Sequence, residues 1–325
     1  MMKKIGIIGS GAIVPFHIEA IQKLGSTVES IASRPSSKTT QLLADKFDIK
    51  NIYRSGFDLV KNSDNLDGLL ICTPPEVLPE ILNYATTLDV PILIEKPGMI
   101  QQNDLNSYSQ SKIFVAYNRR FYKTVNLFKE NLKGRLGFFN FEIVEDKACI
   151  TDKELLLSTL KNNSIHYFDL MNFINGKYLI GSVDSLLGKF AYKIEILSFN
   201  GQLIGNFFLK LGTPTNSGLS FENSEISLKL QPLETLRRSN FLQVIEPDMK
   251  RRIRSFLPMW LPRNEHEVVL EDSNLKPGFE LQMKEFLAKA DTSTNIRLDL
   301  AGLDDAAFAI AIAQEIYHKI EALDV

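Results

Sequence analysis

The feature that most constrains this chain is an apolar strand, Lys4–Ile8, running straight into Gly9-Ser10-Gly11-Ala12-Ile13-Val14. A helix is predicted directly after it, over Ala12–Leu24. In a strand–turn–helix of this kind the first glycine permits the tight turn and the second lets a pyrophosphate approach the backbone. The helix N-terminus then offers free amides and partial positive charge. Val14 stands where a third glycine would bring helix and strand together, so a slightly wider separation is expected. Pro15 is compatible with a first helical turn, whose amides lack helical partners.

The alternation continues. Strands are predicted at Val28–Ala32, Gly68–Cys72, Pro91–Ile94 and Phe114–Tyr117, and helices at Ser37–Phe47 and Val77–Thr87. Strand–helix repetition implies a parallel sheet, and strands without polar alternation imply one buried on both faces. After about residue 122 the period changes. Phe139, Phe141 and Ile143 alternate with polar neighbours, as do Ile226, Leu228 and Leu230, and Ile194 and Ile196 flank Glu195. Helices are expected near Asp152–Asn175, Pro277–Ala290 and Leu300–Ala322. The fold class is therefore α/β: a doubly wound dinucleotide-binding domain over residues 1–121, then an α+β domain with a mostly antiparallel sheet over 122–325. For 325 residues, two domains are the natural division.

Composition excludes several classes. Lys+Arg of 37 against Asp+Glu of 39 argues against a nucleic-acid binder. No apolar run approaches a membrane span. Cys72 and Cys149 form neither a disulfide framework nor zinc-ligand spacing, so no metal is expected and a reducing, cytoplasmic setting is. Lys3-Lys4 before Ile5–Ile8 mimics the basic start of a targeting segment, but Gly6, Gly9 and Pro15 favour a first buried strand.

The end of the second strand governs coenzyme choice. An acid there would grip a ribose 2′-hydroxyl, whereas this chain has Ser33-Arg34-Pro35, which favours NADP over NAD. The alternative is an exposed arginine on a loop. Lys96, in Glu95-Lys96-Pro97, ends a strand where ligands of such sheets sit, and desolvation would let it exchange a proton. Alone, it reads rather as a strand-end salt bridge. The basic stretch Arg237–Arg263 includes the only tryptophan. It reads as a solvated loop with an oligomer contact, a cationic wall for a substrate phosphate, or a membrane-surface contact.

Gly9-Ser10-Gly11 with His17, Cys72-Thr73-Pro74-Pro75, Glu95-Lys96-Pro97, Tyr117-Asn118-Arg119-Arg120-Phe121 and Asn162-Asn163-Ser164-Ile165-His166-Tyr167-Phe168-Asp169 occur in one order. Together they resemble the Gfo/Idh/MocA oxidoreductase family, named after glucose-fructose oxidoreductase and inositol dehydrogenase. The resemblance implies a Rossmann domain holding NAD(P) through Gly9, Ser10, Gly11, Ala12, Ile13, Ser33, Arg34, Thr73, Pro74, Glu95 and Lys96. It also implies a second domain with a large open sheet that makes a homo-oligomer. Lys96 and His166 would surround the reacting carbon of a sugar-type substrate, and Tyr117, Asn118 and Asn162 would shape its pocket. The sequence departs from the pattern at Asn162, where an aspartate is usual, and at Ser164, where a glycine is usual. Spacing of four predicts that Asn162 and His166 share a helix face. His17 is expected to pack near the turn, and His266 and His318 to lie on the surface or in packing. The function implied is hydride transfer between nicotinamide and a sugar or sugar derivative, possibly a nucleotide sugar. The rival is a non-catalytic dinucleotide-binding sensor of the same fold, towards which Val14, Asn162 and Ser164 lean.

Overall fold

A computed structural model of the chain describes residues 2–62, 65–98, 108, 112–239, 265–270, 275–290 and 299–323, with the backbone alone at 265–268. The first part alternates strands β1 (Lys4–Ile8), β2 (Thr27–Ala32), β3 (Asn51–Tyr53), β4 (Gly68–Ile71), β5 (Ile92–Ile94) and β6 (Ile113–Val115) with helices. These are α1 (Val14–Lys23), α2 (Thr39–Phe47), α3 (Gly56–Asn62) and α4 (Leu78–Ala85). β1 to β6 pair in parallel in the spatial order 3-2-1-4-5-6 reversed about β1 and β4, which defines a dinucleotide-binding sheet. Neighbouring residues alternate between two cores. Ile7, Leu70 and Leu93 face one, while Ile8, Ile71 and Ile94 face the other. Both faces are covered, which is why the sequence shows no polar alternation there.

The second part begins with α5 (Lys123–Leu132) and β7 (Phe138–Glu145). The long helix predicted at Asp152–Asn175 is instead α6 (Lys153–Thr159), a π-helical turn at Leu160–Ser164, and α7 (Ile165–Asn175). Strands β8 (Leu179–Ser185), β9 (Ala191–Leu197), β10 (Leu203–Leu211), β11 (Gly218–Glu222), β12 (Ser227–Leu230), β13 (Thr235–Ser239) and β14 (Glu265–Leu270) complete an eight-stranded sheet. Every pairing is antiparallel except β7 with β10. Along β7, Phe139, Phe141, Ile143 and Glu145 are buried while the residues between them are half-buried. The apolar phase of this strand therefore ends on a carboxylate.

The chain then returns to the first sheet. α8 (Phe279–Lys289) packs on α1, and its Phe279, Met283 and Phe286 join the core beneath β1 and β2. Ala301–Gly302, read from sequence as the start of a helix, is instead strand β15, antiparallel to β6. α9 (Leu303–Ala322) then packs on α7 and β8. No helix among the described residues is long and apolar enough to cross a membrane. Residues 240–264 of the basic stretch lie outside the described residues, as does the side chain of His266.

Candidate active site

The glycine turn sits where β1 splays from its neighbours. Gly9 N–H donates to the Ala32 carbonyl (2.8 Å) and Cys72 N–H to the Ile8 carbonyl (2.7 Å). Gly9 has φ +119°, and a Cβ there would lie 2.2 Å from the Cys72 carbonyl oxygen. Only glycine fits such a position. A Cβ on Gly11 would meet no protein atom within 4 Å, so the space it leaves opens outward. That space is a cavity of about 890 Å³ over the carboxyl ends of β1, β2 and β4. Gly9, Ser10, Gly11, Ala12, Thr73 and Pro74 line one part of it, and Ser33, Arg34 and Arg54 another. Ser10 Oγ lies 2.8 Å from Ser37 Oγ and accepts from Thr39 Oγ1 at 3.0 Å. Thr73 Oγ1 is buried without a protein partner. A cradle that a side chain would fill, an unpartnered hydroxyl and two exposed guanidinium groups suit the phosphates of a dinucleotide.

Three of the expected cofactor contacts lie elsewhere. Ile13 packs against the apolar core beside the turn and is not among the cavity's lining residues. Glu95 turns inward, its Oε1 2.7 Å from Nε2 of the fully buried His17, and its Oε2 accepts from Lys96 N–H (3.2 Å). His17 thus does more than pack near the turn: it fixes the carboxylate next to Lys96. Lys96 itself projects towards the second domain. Its Nζ donates to the Asn162 carbonyl oxygen at 2.5 Å and has no carboxylate ion pair among the described residues. Burial holds its pKa below the usual lysine range, with Glu95 and Glu145 opposing and Arg119 and Lys276 assisting.

His166 lies in the first turn of α7, buried, with Nδ1 unpartnered. Burial, together with Arg119, Lys96 and Lys276, holds it well below the usual histidine pKa, so the ring is neutral. Tyr117 packs edge-on against it (centroids 5.9 Å) and donates its hydroxyl to the Pro97 carbonyl (3.3 Å). Being fully buried, Tyr117 supports Lys96-Pro97 and His166 from behind and does not itself face a pocket. Asn118 is likewise occupied, donating Nδ2 to the Pro277 carbonyl (3.1 Å) and anchoring the segment that carries Lys276.

The expectation that Asn162 and His166 line one pocket is not met by the asparagine amide. Asn162 is exposed, with Nδ2 folded back to the Ser158 carbonyl (2.9 Å), whereas His166, just after the π turn, is buried. The Asn162 backbone carbonyl, not its amide, meets Lys96. π turns of this type recur at functional sites. Sequence reasoning missed Arg119, which stacks over Tyr167 (4.6 Å) with Nη1 buried and unpartnered, and it missed Lys276 and Glu145. A signal for Glu145 was present, since the period-2 alternation of β7 carried one step further puts it on the buried face.

A doubly wound sheet, a glycine turn under an open cavity and a lysine beside a buried imidazole define a nucleotide-dependent oxidoreductase. Residues 3–111 match the Gfo/Idh/MocA model, described as an oxidoreductase family with an NAD-binding Rossmann fold. Among curated proteins, none shows significant similarity to the sequence. Solved structures similar over the whole chain include UDP-N-acetylglucosamine 3-dehydrogenase from Acidithiobacillus ferrooxidans (13% identity, TM-score 0.74, 99% of each chain). A dehydrogenase from Clostridium difficile matches at 15% identity and TM-score 0.72 over 98% of this chain and 99% of its own. An oxidoreductase from Agrobacterium radiobacter, solved with NAD+, L-tartaric acid and magnesium, matches at 15% and 0.70, over 98% and 96%. At these identities the likeness shows the shared fold.

Proposed function

We propose that the protein interconverts a secondary alcohol and a ketone on a sugar or sugar derivative, with NADP as its preferred coenzyme and Lys96 moving the proton beside a neutral His166. The observation that carries this reading is the reach of Lys96 Nζ from the end of β5 to the turn immediately before His166. A bound nicotinamide supplies the hydride donor or acceptor. Lys96, partly stripped of water, releases and recovers a proton more readily than a solvated lysine, as a general base towards a hydroxyl requires. His166 can accept or donate one hydrogen bond without carrying charge. Arg119 and Lys276, close enough to act on both, favour a substrate bearing a negative group, as a nucleotide sugar does. NADP is favoured because Arg34 and Arg54 line the cavity beside Ser33 with no carboxylate partner among the described residues.

The test pairs binding with turnover. NADPH and NADH affinities are measured by fluorescence, and coenzyme oxidation or reduction by absorbance against nucleotide sugars and cyclic polyols. NADPH is expected to bind more tightly than NADH. Lys96→Ala is expected to retain NADPH binding while turnover falls about 10²- to 10⁴-fold. Undiminished turnover in Lys96→Ala removes the lysine from the mechanism. Tight NADPH binding with no turnover of any substrate in the panel favours the non-catalytic sensor.

A further inference from the structure

The three residues of the π turn at Asn162, Asn163 and Ser164 do two separate things. The Asn162 carbonyl accepts from Lys96 Nζ at 2.5 Å. Asn163 Nδ2 donates to Glu145 Oε2 at 2.7 Å, and Ser164 Oγ donates to Glu145 Oε1 at 2.5 Å. Two adjacent residues of the turn thus grip one carboxylate and hold it next to the residue that Lys96 touches.

Glu145 is an expensive group to place there. It is buried at the end of an otherwise apolar strand face and makes no ion pair within 4 Å among the described residues. Two neutral donors alone are weak compensation for a buried carboxylate. The charged and titratable groups around it and around Lys96 are Glu95, Arg119, His166 and Lys276. Glu95, held against His17 at 2.7 Å, answers these cations from the first domain. Asn162 supplies no charge. Three cations converge on a neutral imidazole, and among the described residues Glu145 is the carboxylate that answers them from the second domain.

We propose that Glu145 is a positioning residue for the active site: gripped by Asn163 and Ser164, its carboxylate is a counter-charge of the Lys96 ammonium on the second-domain side, beside Glu95 on the first. Ser164, in the position where the family resemblance implies glycine, then has a purpose, because its hydroxyl fixes the Glu145 carboxylate. This proposal rests on Lys96 being the proton-moving group, but its test reads the ammonium directly and needs no substrate.

Lysines of the full-length protein are reductively methylated with 13C-formaldehyde, and the dimethyl-Lys96 signal, assigned by its absence from Lys96→Arg, is titrated by NMR. Loss of an opposite charge at close range favours the neutral amine. In Glu145→Gln the Lys96 midpoint is expected to fall by a few tenths of a pH unit. Should Glu145→Gln not fold, judged by circular dichroism, Ser164→Ala serves instead. It removes the hydroxyl that favours the charged carboxylate and lowers the midpoint in the same direction by less. A Lys96 midpoint unchanged in the folded variant overturns the proposal. It would make Glu145 a merely packed acid, whatever the outcome of the turnover assay.

Discussion

His166 is buried, and three cations, Arg119, Lys96 and Lys276, oppose its charged form. Its folded-state pKa therefore lies below the value of about 6.5 that it regains on unfolding. Below that value the unfolded chain binds a proton which the folded chain resists, so acid favours unfolding. Urea unfolding is expected to show stability falling from pH 7 towards pH 5.5, by at most about 1.4 kcal/mol per pH unit from this group. The slope should be shallower in His166→Gln; an identical slope in both proteins would mean that the ring is solvated. At this scale the motifs single out residues but not how each is placed. Lys96 and His166 are brought to either side of one turn, as the motifs suggest. Tyr117 and Asn118 are not pocket walls, since one lies behind the histidine and the other ties down Pro277, because burial and backbone partners cannot be read from a motif. Glu145 escaped because it is 21 positions from His166 in the chain and is brought near it by a strand and a helical turn.

Elements differ in how plainly the chain announces them. β1, β4 and β5 are short apolar runs and were legible. β3 spans three residues of which two are exposed, and α3 has seven, so neither produced a periodic signal. The break between α6 and α7 was invisible because a π turn preserves helical composition while shifting the phase of every residue after it. The glycine turn separates structural from functional constraint within three residues. Gly9→Ala forces a Cβ against the Cys72 carbonyl in a backbone conformation that side chains rarely adopt. It is expected to cost about 2 kcal/mol or more of stability in urea unfolding. Gly11→Val meets no protein atom and is expected to leave stability within about 1 kcal/mol, while NADPH affinity falls at least about tenfold. If Gly11→Val bound NADPH normally, the phosphates would have to lie elsewhere.

At the scale of the whole molecule, the two sheets are joined by more than the chain between them. α8 completes the core of the first sheet and β15 extends its edge, although both follow the second sheet in sequence. Helical periodicity revealed α8 and α9 but could not reveal which sheet each would cover. The junction is locked by Arg120, which follows β6 in the first domain. Its Nε donates to Asp169 Oδ2 at 2.8 Å and its Nη2 to Asp169 Oδ1 at 2.5 Å, on the helix that carries His166. The same guanidinium reaches the Asp299 carbonyl (3.4 Å) and Asp305 (3.3 Å), at the two ends of the returning segment around β15. Both members of the central pair are almost fully buried. A buried pair of this kind is worth little against an apolar replacement but costs much when one partner is removed, because the other charge is left without compensation. Asp169→Ala is therefore expected to lose about 3 kcal/mol in urea unfolding, the low end for a broken buried pair, because Arg120 keeps Asp305 at 3.3 Å. The double variant Arg120→Met/Asp169→Leu is expected to lose distinctly less than the sum of the two single changes, since it removes both charges together. The readout that separates fastening from mere stability is NADPH binding. The cavity lies wholly on the first sheet, so Asp169→Ala is expected to bind NADPH normally wherever it remains folded, while turnover falls because the helix bearing His166 is no longer fixed against β6. Additive single and double effects would show that Arg120 and Asp169 act independently, and that their pairing does not hold the two domains in register.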